Sequence, residues 1–391
     1  MIRKINGKSI GTRSKERKHL LSKTPIILLC SLYGRSAMIQ YASQLANALA
    51  KKAKVYMLIP DYTDKFFFDS KVNLIRIKAP PSVIKTAFLS TNPGHFSGII
   101  KRIKHINPDV VHFLDNHPWY LFLLPHISNK TIFVTQHDIA AHPGEKIRGK
   151  IAIFVNRALN KKAGRVIVHG EKLKKELGLI IPENKILVFP YGSMEFFLRW
   201  KDERIKEEPN TILFFGRILH YKGLDILLKA LKIVSKKMDY KLIIAGEGDL
   251  NPYRELLTKE IASNSEIINK YLPENEIPQY FQRASIVVMP YREASQSGIV
   301  PIIYAFKKAL ISSDVGALSE AIDNNKTGIL IEPENPELLA EKIIYLLRNK
   351  EERKKLGRAG YIKMKKELGW DSIAARLLKE YQKALNKKAV K

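Results

Sequence analysis

The sequence predicts an α/β protein with two domains, each built on a doubly wound parallel β-sheet. The chain has 391 residues, which is enough for two or three domains. Short apolar runs alternate with amphipathic stretches, and the whole alternation occurs twice. Residues 201–210 separate the two series, and seven charged residues in ten predict a linker there. With 45% hydrophobic and 27% charged residues, the composition excludes a disordered chain.

The first series predicts a domain over residues 25–200, preceded by a basic arm. Runs of Val, Ile and Leu predict strands, because parallel strands are buried on both faces. These strands are predicted at 26–32, 55–59, 72–77, 110–114, 131–135, 165–169 and 186–189. Residues 37–50 carry apolar side chains at helical spacing and predict the first helix. Residues 1–24 hold eight Lys and Arg against one acid, which is typical of a solvated arm.

The second series predicts a domain over residues 201–370. Its strands are predicted at 212–215, 241–245, 286–289, 310–312 and 328–331. Its helices are predicted at 224–234, 252–261, 277–283, 298–306 and 336–347. A last helix, capped by Asp371 and running to about Leu385, is expected to return to the first domain within residues 371–391. Parallel sheets bind ligands at the carboxyl ends of their strands, so we expect the site in a cleft between the two domains.

The positive charge is concentrated at the two ends of the chain. Residues 1–200 carry 33 Lys and Arg against 12 Asp and Glu, residues 201–340 carry 18 against 20, and residues 341–391 carry 16 against 6. Phospholipid, a phosphorylated substrate or nucleic acid would explain this charge, and so would simple solubilisation. The chain lacks zinc-finger spacing and helix-turn-helix or RNA-binding signatures, which disfavours nucleic acid. It also lacks an apolar run of the ~18 residues that a membrane span needs.

Segment 214–224 holds the strongest chemical signal. A predicted buried strand ends at Gly216, where backbone can approach a ligand closely. Arg217 and Lys222 then flank a loop that opens a helix. Two cations beside a helix N-terminus suit a diphosphate. The alternative is a surface loop that carries two unrelated basic residues.

Three further segments follow predicted strands of the second series. Gly246 begins a Gly-Glu-Gly turn. Ser297 and Gly298 stand where an apolar helix begins, so their free N–H groups suit a phosphate. Glu320 follows another strand and supplies an acid that can reach the same site.

These segments together resemble the donor domain of glycosyltransferase family 4. The shared landmarks are Gly-Arg…Lys-Gly at 216–223, Gly-Glu-Gly at 246–248, Pro-Tyr…Ser-Gly at 290–298 and Asp-Val-Gly…Glu at 314–320. The first half is similar at Thr-Gln-His-Asp 135–138, His-Pro-Gly-Glu 142–145, His-Gly-Glu 169–171 and Pro-Tyr-Gly 190–192. The resemblance covers residues 25–385 and implies the GT-B fold, with two Rossmann-like domains facing a cleft.

The resemblance implies a retaining transfer of a sugar from a UDP- or GDP-linked donor to a glycan or lipid-linked acceptor, without a metal or other cofactor. Arg217 and Lys222 would hold the diphosphate, and His137 would face the transferred sugar; these three are the implied catalytic residues. The implied donor-binding residues are Gly34, Gly216, Gly246, Lys270, Tyr271, Glu293, Ser297, Gly298, Ile299 and Glu320. Lys270 and Tyr271 would line the nucleobase pocket.

The sequence departs from the family pattern in two places. The family has two glutamates eight positions apart; here Glu293 or Ala294 stands at the first position and Ile302 at the second. Either nucleotide recognition differs, or Glu320 replaces the missing carboxylate. The glycine-rich loop of the first domain is reduced to Tyr33-Gly34-Arg35-Ser36, in which Gly34 still admits a donor and Arg35 adds a cation.

We therefore expect a nucleotide-sugar-dependent hexosyltransferase of polysaccharide or glycolipid assembly, held at the cytoplasmic face of an anionic membrane. The alternative is a degenerate chain of the same fold that only binds nucleotide or membrane. An oxidoreductase is disfavoured, because Gly-x-Gly-x-x-Gly does not follow the first strand. The histidines lie on separate predicted elements, so we predict no metal site. Aromatic residues at 66–68 and 119–122 suit either lipid contact or core packing.

Overall fold

The computed structural model describes residues 24–34, 36–79, 89–90, 92–139, 146–294 and 297–390. The predicted basic arm lies outside the described residues except for Thr24. Arg35 and the motif at 142–145 also lie outside them. Two compact units form: residues 1–135, 154–166 and 374–391 make the first, and residues 136–153 and 167–373 make the second. The predicted domain boundaries at 24/25, 200/201 and 370/371 stay predictions.

Thirteen strands are described, and they form two sheets. The seven-stranded sheet has the order β3-β2-β1-β4-β5-β6-β7. Its strands are β1 Ile26–Cys30, β2 Lys54–Pro60, β3 Asn73–Ile77, β4 Val110–Phe113, β5 Thr131–Thr135, β6 Arg165–Val168 and β7 Ile186–Val188. The six-stranded sheet has the order β10-β9-β8-β11-β12-β13. Its strands are β8 Thr211–Phe215, β9 Lys241–Ala245, β10 Ser265–Ile268, β11 Ile286–Met289, β12 Ala309–Ser313 and β13 Ile329–Ile331.

Helices alternate with these strands, and the registers from β1 to β5 and across the six-stranded sheet are parallel. The first helices are α1 Ser36–Ala50, α2 Pro93–Ile106, α3 Tyr120–Leu123, α4 Lys146–Lys162 and α5 Glu171–Gly178. The next are α6 Leu224–Val234, α7 Lys259–Ser263, α8 Ile277–Arg283 and α9 Ile299–Ala305. The last are α10 Leu318–Ala321, α11 Pro336–Arg348, α12 Lys350–Glu367 and α13 Trp370–Val390. This alternation confirms the predicted α/β class with two parallel sheets.

The last helix packs in the first unit, as predicted. The Tyr381 hydroxyl lies 2.6 Å from Nδ1 of His112, and both side chains are buried. The Tyr381 ring also meets Phe133 edge to face, 4.7 Å between centroids. These contacts place α13 beside β4 and β5, which carry His112 and Phe133.

The structure differs from the sequence prediction at four places. The helix predicted at 252–261 is a 3-10 turn over Asn251–Tyr253 followed by α7. Strand β10 was missed because it is a four-residue edge strand whose middle residues are exposed, so it lacks a buried run. Helix α12 was missed because its sequence is mostly charged. Asp371 does not cap α13, since the helix begins at Trp370 and Asp371 lies in its first turn.

The two aromatic segments are used in different ways. Trp119 and Tyr120 are buried in the first unit, whereas Phe122 is 47% exposed. Phe66 is 50% exposed, and Phe67 and Phe68 are half-buried. Within the described residues, we find no helix that combines the length and the apolarity needed to cross a membrane.

Candidate active site

Two glycine turns pack directly against each other at the ends of β8 and β9. Gly216 has a φ of 109°, and its N–H donates to the carbonyl of Ala245 at 2.9 Å. Gly246 has a φ of 148°, and a Cβ placed on it would lie 2.1 Å from the Gly216 carbonyl oxygen. A side chain fits neither the backbone angle nor the space at Gly246. Glycine is therefore required at position 246, because the backbone of Gly216 packs directly against it.

Asn269, which sequence reasoning missed, fixes the second glycine turn. Its amide accepts from the Gly248 N–H and donates to the Gly248 carbonyl, both at 2.9 Å. Asn269 directly follows β10, so only the pairing of this short strand brings it to the turn. The next two residues, Lys270 and Tyr271, are both exposed, and Lys270 pairs with Glu276 at 2.9 Å. Their assignment to a nucleobase pocket stays a prediction.

Lys222 is a buried cation beside the same sheet edge. It lies in a 3-10 turn that ends at Gly223, whose φ is 69°. A Cβ on Gly223 would lie 1.9 Å from the Pro290 carbonyl oxygen, so the loop closes tightly onto the residue after β11. The Lys222 ammonium lies 2.6 Å from the Tyr291 hydroxyl and 4.2 Å from the centroid of that ring.

Burial and the positive charge of Arg217 together lower the pKa of Lys222 to about 7. Among the residues that the structure describes, no carboxylate lies within ion-pair distance of this ammonium. Arg217 itself is exposed, at the start of the loop that Lys222 closes. An anion bound beside both groups would restore the charged form of Lys222, because an opposite charge favours the protonated amine.

The segment after β11 connects Lys222 to the start of α9. The Tyr291 hydroxyl meets Lys222, and the Ser297 side chain lies near the same hydroxyl and lowers the pKa of Tyr291 against the larger effect of burial. The Ser297 hydroxyl in turn accepts from the Ile299 N–H at 3.3 Å. A Cβ on Gly216 would lie 3.5 Å from the Lys222 nitrogen and 3.1 Å from Cδ1 of Ile299. Four predicted site residues, Gly216, Lys222, Ser297 and Ile299, therefore gather in one place.

His137 belongs to the same unit and lies within an aromatic group. Its ring is 5.0 Å from that of His169 and 6.0 Å from that of Tyr191. The Tyr191 hydroxyl would lie 3.2 Å from a Cβ on Gly298, so the group reaches the N-terminus of α9. His169 is held by a 3.0 Å hydrogen bond between Nδ1 and the Phe189 carbonyl. Tyr191 therefore links the His137 ring to the N-terminus of α9. In the sequence, the Pro-Tyr-Gly motif at 190–192 was the signal that pointed to Tyr191.

The two positions of the family's glutamate pair are occupied differently. Glu293 is exposed and follows Arg292, which binds Asp225 at 2.7 Å and Glu334 at 2.8 Å. Ile302, at the second position, is 5% exposed within α9. The assignment of Ile302 to the position of the family's second glutamate stays a prediction.

Glu320 caps a helix in this structure. Its carboxylate accepts from the backbone N–H groups of Glu171 at 2.7 Å and Lys172 at 2.8 Å, at the start of α5. A carboxylate is stabilising there, because the first N–H groups of a helix lack partners within the helix. A role of Glu320 in donor binding stays a prediction.

Gly34 lies in the first unit, in a tightly held loop after β1. It is buried, and a Cβ placed on it would meet the Thr63 hydroxyl oxygen at 2.2 Å. Asp115, which sequence reasoning missed, holds the residues before it. One oxygen of its carboxylate accepts from the N–H groups of Leu32 at 2.8 Å and Tyr33 at 3.0 Å. Burial raises the pKa of Asp115 above its ordinary value, and the hydrogen bonds from the Tyr120 hydroxyl and the Tyr33 N–H offset only part of this rise.

The histidines of the first unit have structural contacts. His112 bonds Tyr381 and the Thr135 hydroxyl, and His117 packs edge to face against Tyr33 and Trp119. Burial lowers the pKa of His117 to about 4. Across the described ranges, no group of three or more His, Cys, Asp or Glu side chains is placed to hold a metal ion.

Comparison with protein families accounts for both halves of the chain. Residues 198–363 match the model for glycosyl transferases group 1, and residues 39–192 match that for glycosyltransferase family 4. The chain belongs to glycosyltransferase family 4. The resemblance expected from the motifs is thereby confirmed.

Relatives and solved structures agree with this family. The uncharacterized glycosyltransferases MJ1607 and MJ1178 of Methanocaldococcus jannaschii are 25% and 29% identical to this chain, and each alignment covers 56% of it. These alignments span 60% and 59% of the two relatives. Spore coat protein SA of Bacillus subtilis is 28% identical over 47% of this chain and 55% of its own length.

Two solved structures show the fold. Sucrose-phosphate synthase from Thermosynechococcus elongatus has a TM-score of 0.74 at 19% identity and covers 92% of this chain and 98% of its own. Anabaena HepE, solved in complex with UDP-glucose, has a TM-score of 0.71 at 13% identity and covers 92% and 100%. This chain therefore has the GT-B fold, as predicted.

Proposed function

We propose that this glycosyltransferase moves a hexosyl group from a nucleotide sugar to a glycan or lipid-linked acceptor, with retention of configuration and without a metal ion. The observation that carries the proposal is the buried Lys222 beside the exposed Arg217, next to the glycine turn that follows β8. A nucleoside diphosphate supplies negative charge that can pair with the Lys222 ammonium. UDP is the first donor nucleotide to test, because HepE was solved with UDP-glucose.

In the proposed reaction, the bond between the anomeric carbon and the diphosphate oxygen breaks while the acceptor hydroxyl oxygen bonds to the same carbon from the same face. The proton of the acceptor hydroxyl passes to the leaving diphosphate. Negative charge develops on the leaving diphosphate, and Lys222 and Arg217 stabilise it electrostatically. The backbone N–H groups from Ser297 to Ile299 add to this stabilisation. His137 contacts a hydroxyl of the transferred sugar, because a histidine can donate or accept a hydrogen bond near neutral pH.

We propose further that the enzyme works in polysaccharide or glycolipid assembly, at the inner face of the cell membrane. Residues 1–200 carry 33 Lys and Arg against 12 Asp and Glu, and this excess suits a surface of anionic lipid. A lipid-linked acceptor would then lie next to the bound protein.

A thermal-shift screen tests the donor. Nucleotide sugars of uridine, guanosine and adenosine are compared, and a ligand at 100 times its dissociation constant stabilises by about 2.7 kcal/mol. Lys222→Met and Arg217→Ala should abolish the shift, whereas Lys232→Met, at an exposed lysine of α6, should preserve it. Normal donor affinity in both site variants would disprove the diphosphate assignment.

The alternative function is nucleotide or membrane binding without catalysis. The buried Ile302 favours it, since this side chain cannot accept a hydrogen bond from a ribose. Hydrolysis of the nucleotide sugar and transfer to an acceptor extract separate the two functions. Binding without release of nucleoside diphosphate over many hours would favour the alternative.

A further inference from the structure

Helix α4 exposes one continuous face that combines apolar and cationic side chains. Lys150, Ile151, Phe154, Arg157 and Lys161 are all exposed, and we call them the α4 face. Phe154 is 64% exposed and Ile151 is 38% exposed. Their spacing follows the helical repeat of 3.6 residues, so the five side chains share one side of the helix. The two apolar residues stand at the centre and the cations at both ends.

The cations of the α4 face lack neutralising partners. Residues 146–170 hold seven Lys and Arg and not one Asp or Glu. Within the described parts of the chain, Lys150, Arg157 and Lys161 form no ion pair. The positive charges of these three side chains are therefore not neutralised, and they surround the exposed ring of Phe154.

Helix α12 also exposes an apolar residue on a helix rich in cations. Its Ile362 is as exposed as Phe154, at 64%. Three cations of α12, however, pair with carboxylates: Lys354 with Glu351, Lys355 with Glu352 and Lys365 with Glu195. Part of the charge of α12 is thus neutralised, whereas the three cations of the α4 face form no ion pair within the described residues.

We propose that the α4 face docks on an anionic phospholipid bilayer, with the helix axis parallel to the surface. Ile151 and Phe154 enter the boundary between headgroups and acyl chains, and the flanking cations contact lipid phosphates. A helix lying in the interface needs this arrangement of apolar and basic side chains. A second copy of the chain fits poorly, because pairing two such faces opposes like charges. The proposal deepens the membrane location given under the proposed function and rests on it.

Vesicle sedimentation tests the proposal on the full chain. Vesicles of phosphatidylcholine with phosphatidylglycerol are compared with vesicles of phosphatidylcholine alone. We expect binding to the anionic vesicles only, reduced about tenfold or more by Phe154→Ser and about fivefold by Arg157→Ser. Tyr345→Ser is the matched control, because Tyr345 is a 46% exposed residue of α11 with an acid and a base close by in sequence, Glu341 and Lys342. This variant should bind as the wild type does.

Each other outcome overturns the proposal. Absence of vesicle binding, equal binding to both vesicles, or unchanged binding by Phe154→Ser would refute it. A change of oligomeric state in Phe154→Ser, measured by light scattering, would assign the face to a second copy instead. Binding of nucleotide sugar by thermal shift is measured on the same variants, so a lost docking face and a wrong donor assignment give separate results. Both substituted side chains are exposed, and equal melting temperatures check that the variants fold.

Discussion

Raising the pH from 7 to 9 should weaken the binding of a nucleotide sugar about 50-fold through Lys222 alone. The pKa of this buried lysine is lowered to about 7, by burial first and then by the charge of Arg217. The diphosphate binds the protonated amine, so apparent affinity follows the protonated fraction of the free protein. That fraction falls from about one half at pH 7 to about 1% at pH 9, which corresponds to about 2.3 kcal/mol of binding free energy.

The lowered pKa of Lys222 has the opposite effect on the stability of the unliganded chain, which should increase as the pH rises. In the unfolded chain this lysine keeps its ordinary pKa of 10.5 and stays protonated, whereas in the folded chain it loses its proton above about 7. The unfolded state therefore binds more protons between these values, and the free energy of unfolding contributed by Lys222 rises with pH across this window. Below pH 7 this contribution is constant, because Lys222 is protonated in both states.

Isothermal titration calorimetry with a nucleotide sugar is the assay. A nucleotide sugar is preferred to the free nucleoside diphosphate, whose terminal phosphate titrates near pH 6. Lys222→Arg keeps its charge throughout the range and should show a flat profile, and Lys222→Met should bind weakly and also show a flat profile. A wild-type affinity that is constant from pH 7 to 9 would refute the reasoning, and so would an equal decline in Lys222→Arg.

Three further predictions concern contacts other than those of Lys222 and Arg217. Tyr381→Phe removes the 2.6 Å hydrogen bond to His112 in a buried setting, so chemical denaturation should show a loss of about 1–3 kcal/mol with donor affinity unchanged. Gly246→Ala should abolish donor binding, because its Cβ would lie 2.1 Å from the Gly216 carbonyl oxygen; a variant that binds the donor normally in calorimetry would contradict this. Asp115→Ala removes the acceptor for the N–H groups of the loop after β1 and should lower the free energy of unfolding by about 3 kcal/mol. Limited proteolysis should then cleave this loop faster than in the wild type.

The sequence by itself determined the fold class and the family. Buried parallel strands are apolar runs, so β5, β9 and β11 were predicted at both ends. The motif from Gly216 to Gly223 also stood out, because glycines and cations at a strand end have a local chemical meaning. Edge strand β10 and the charged helix α12 escaped because neither carries a buried apolar run.

Only the tertiary structure decided how the candidate site is assembled. Lys222 meets Tyr291 across 69 residues of chain, and Glu320 caps a helix that starts 149 residues earlier. Such contacts depend on which segments pack together and not on local spacing, so a single sequence does not reveal them. The depressed pKa of Lys222 has the same origin, because burial is a property of the packed chain. The exposure of Phe154 is the converse case: an apolar residue is ordinarily expected in a core, and only the packing of the chain left it on the surface.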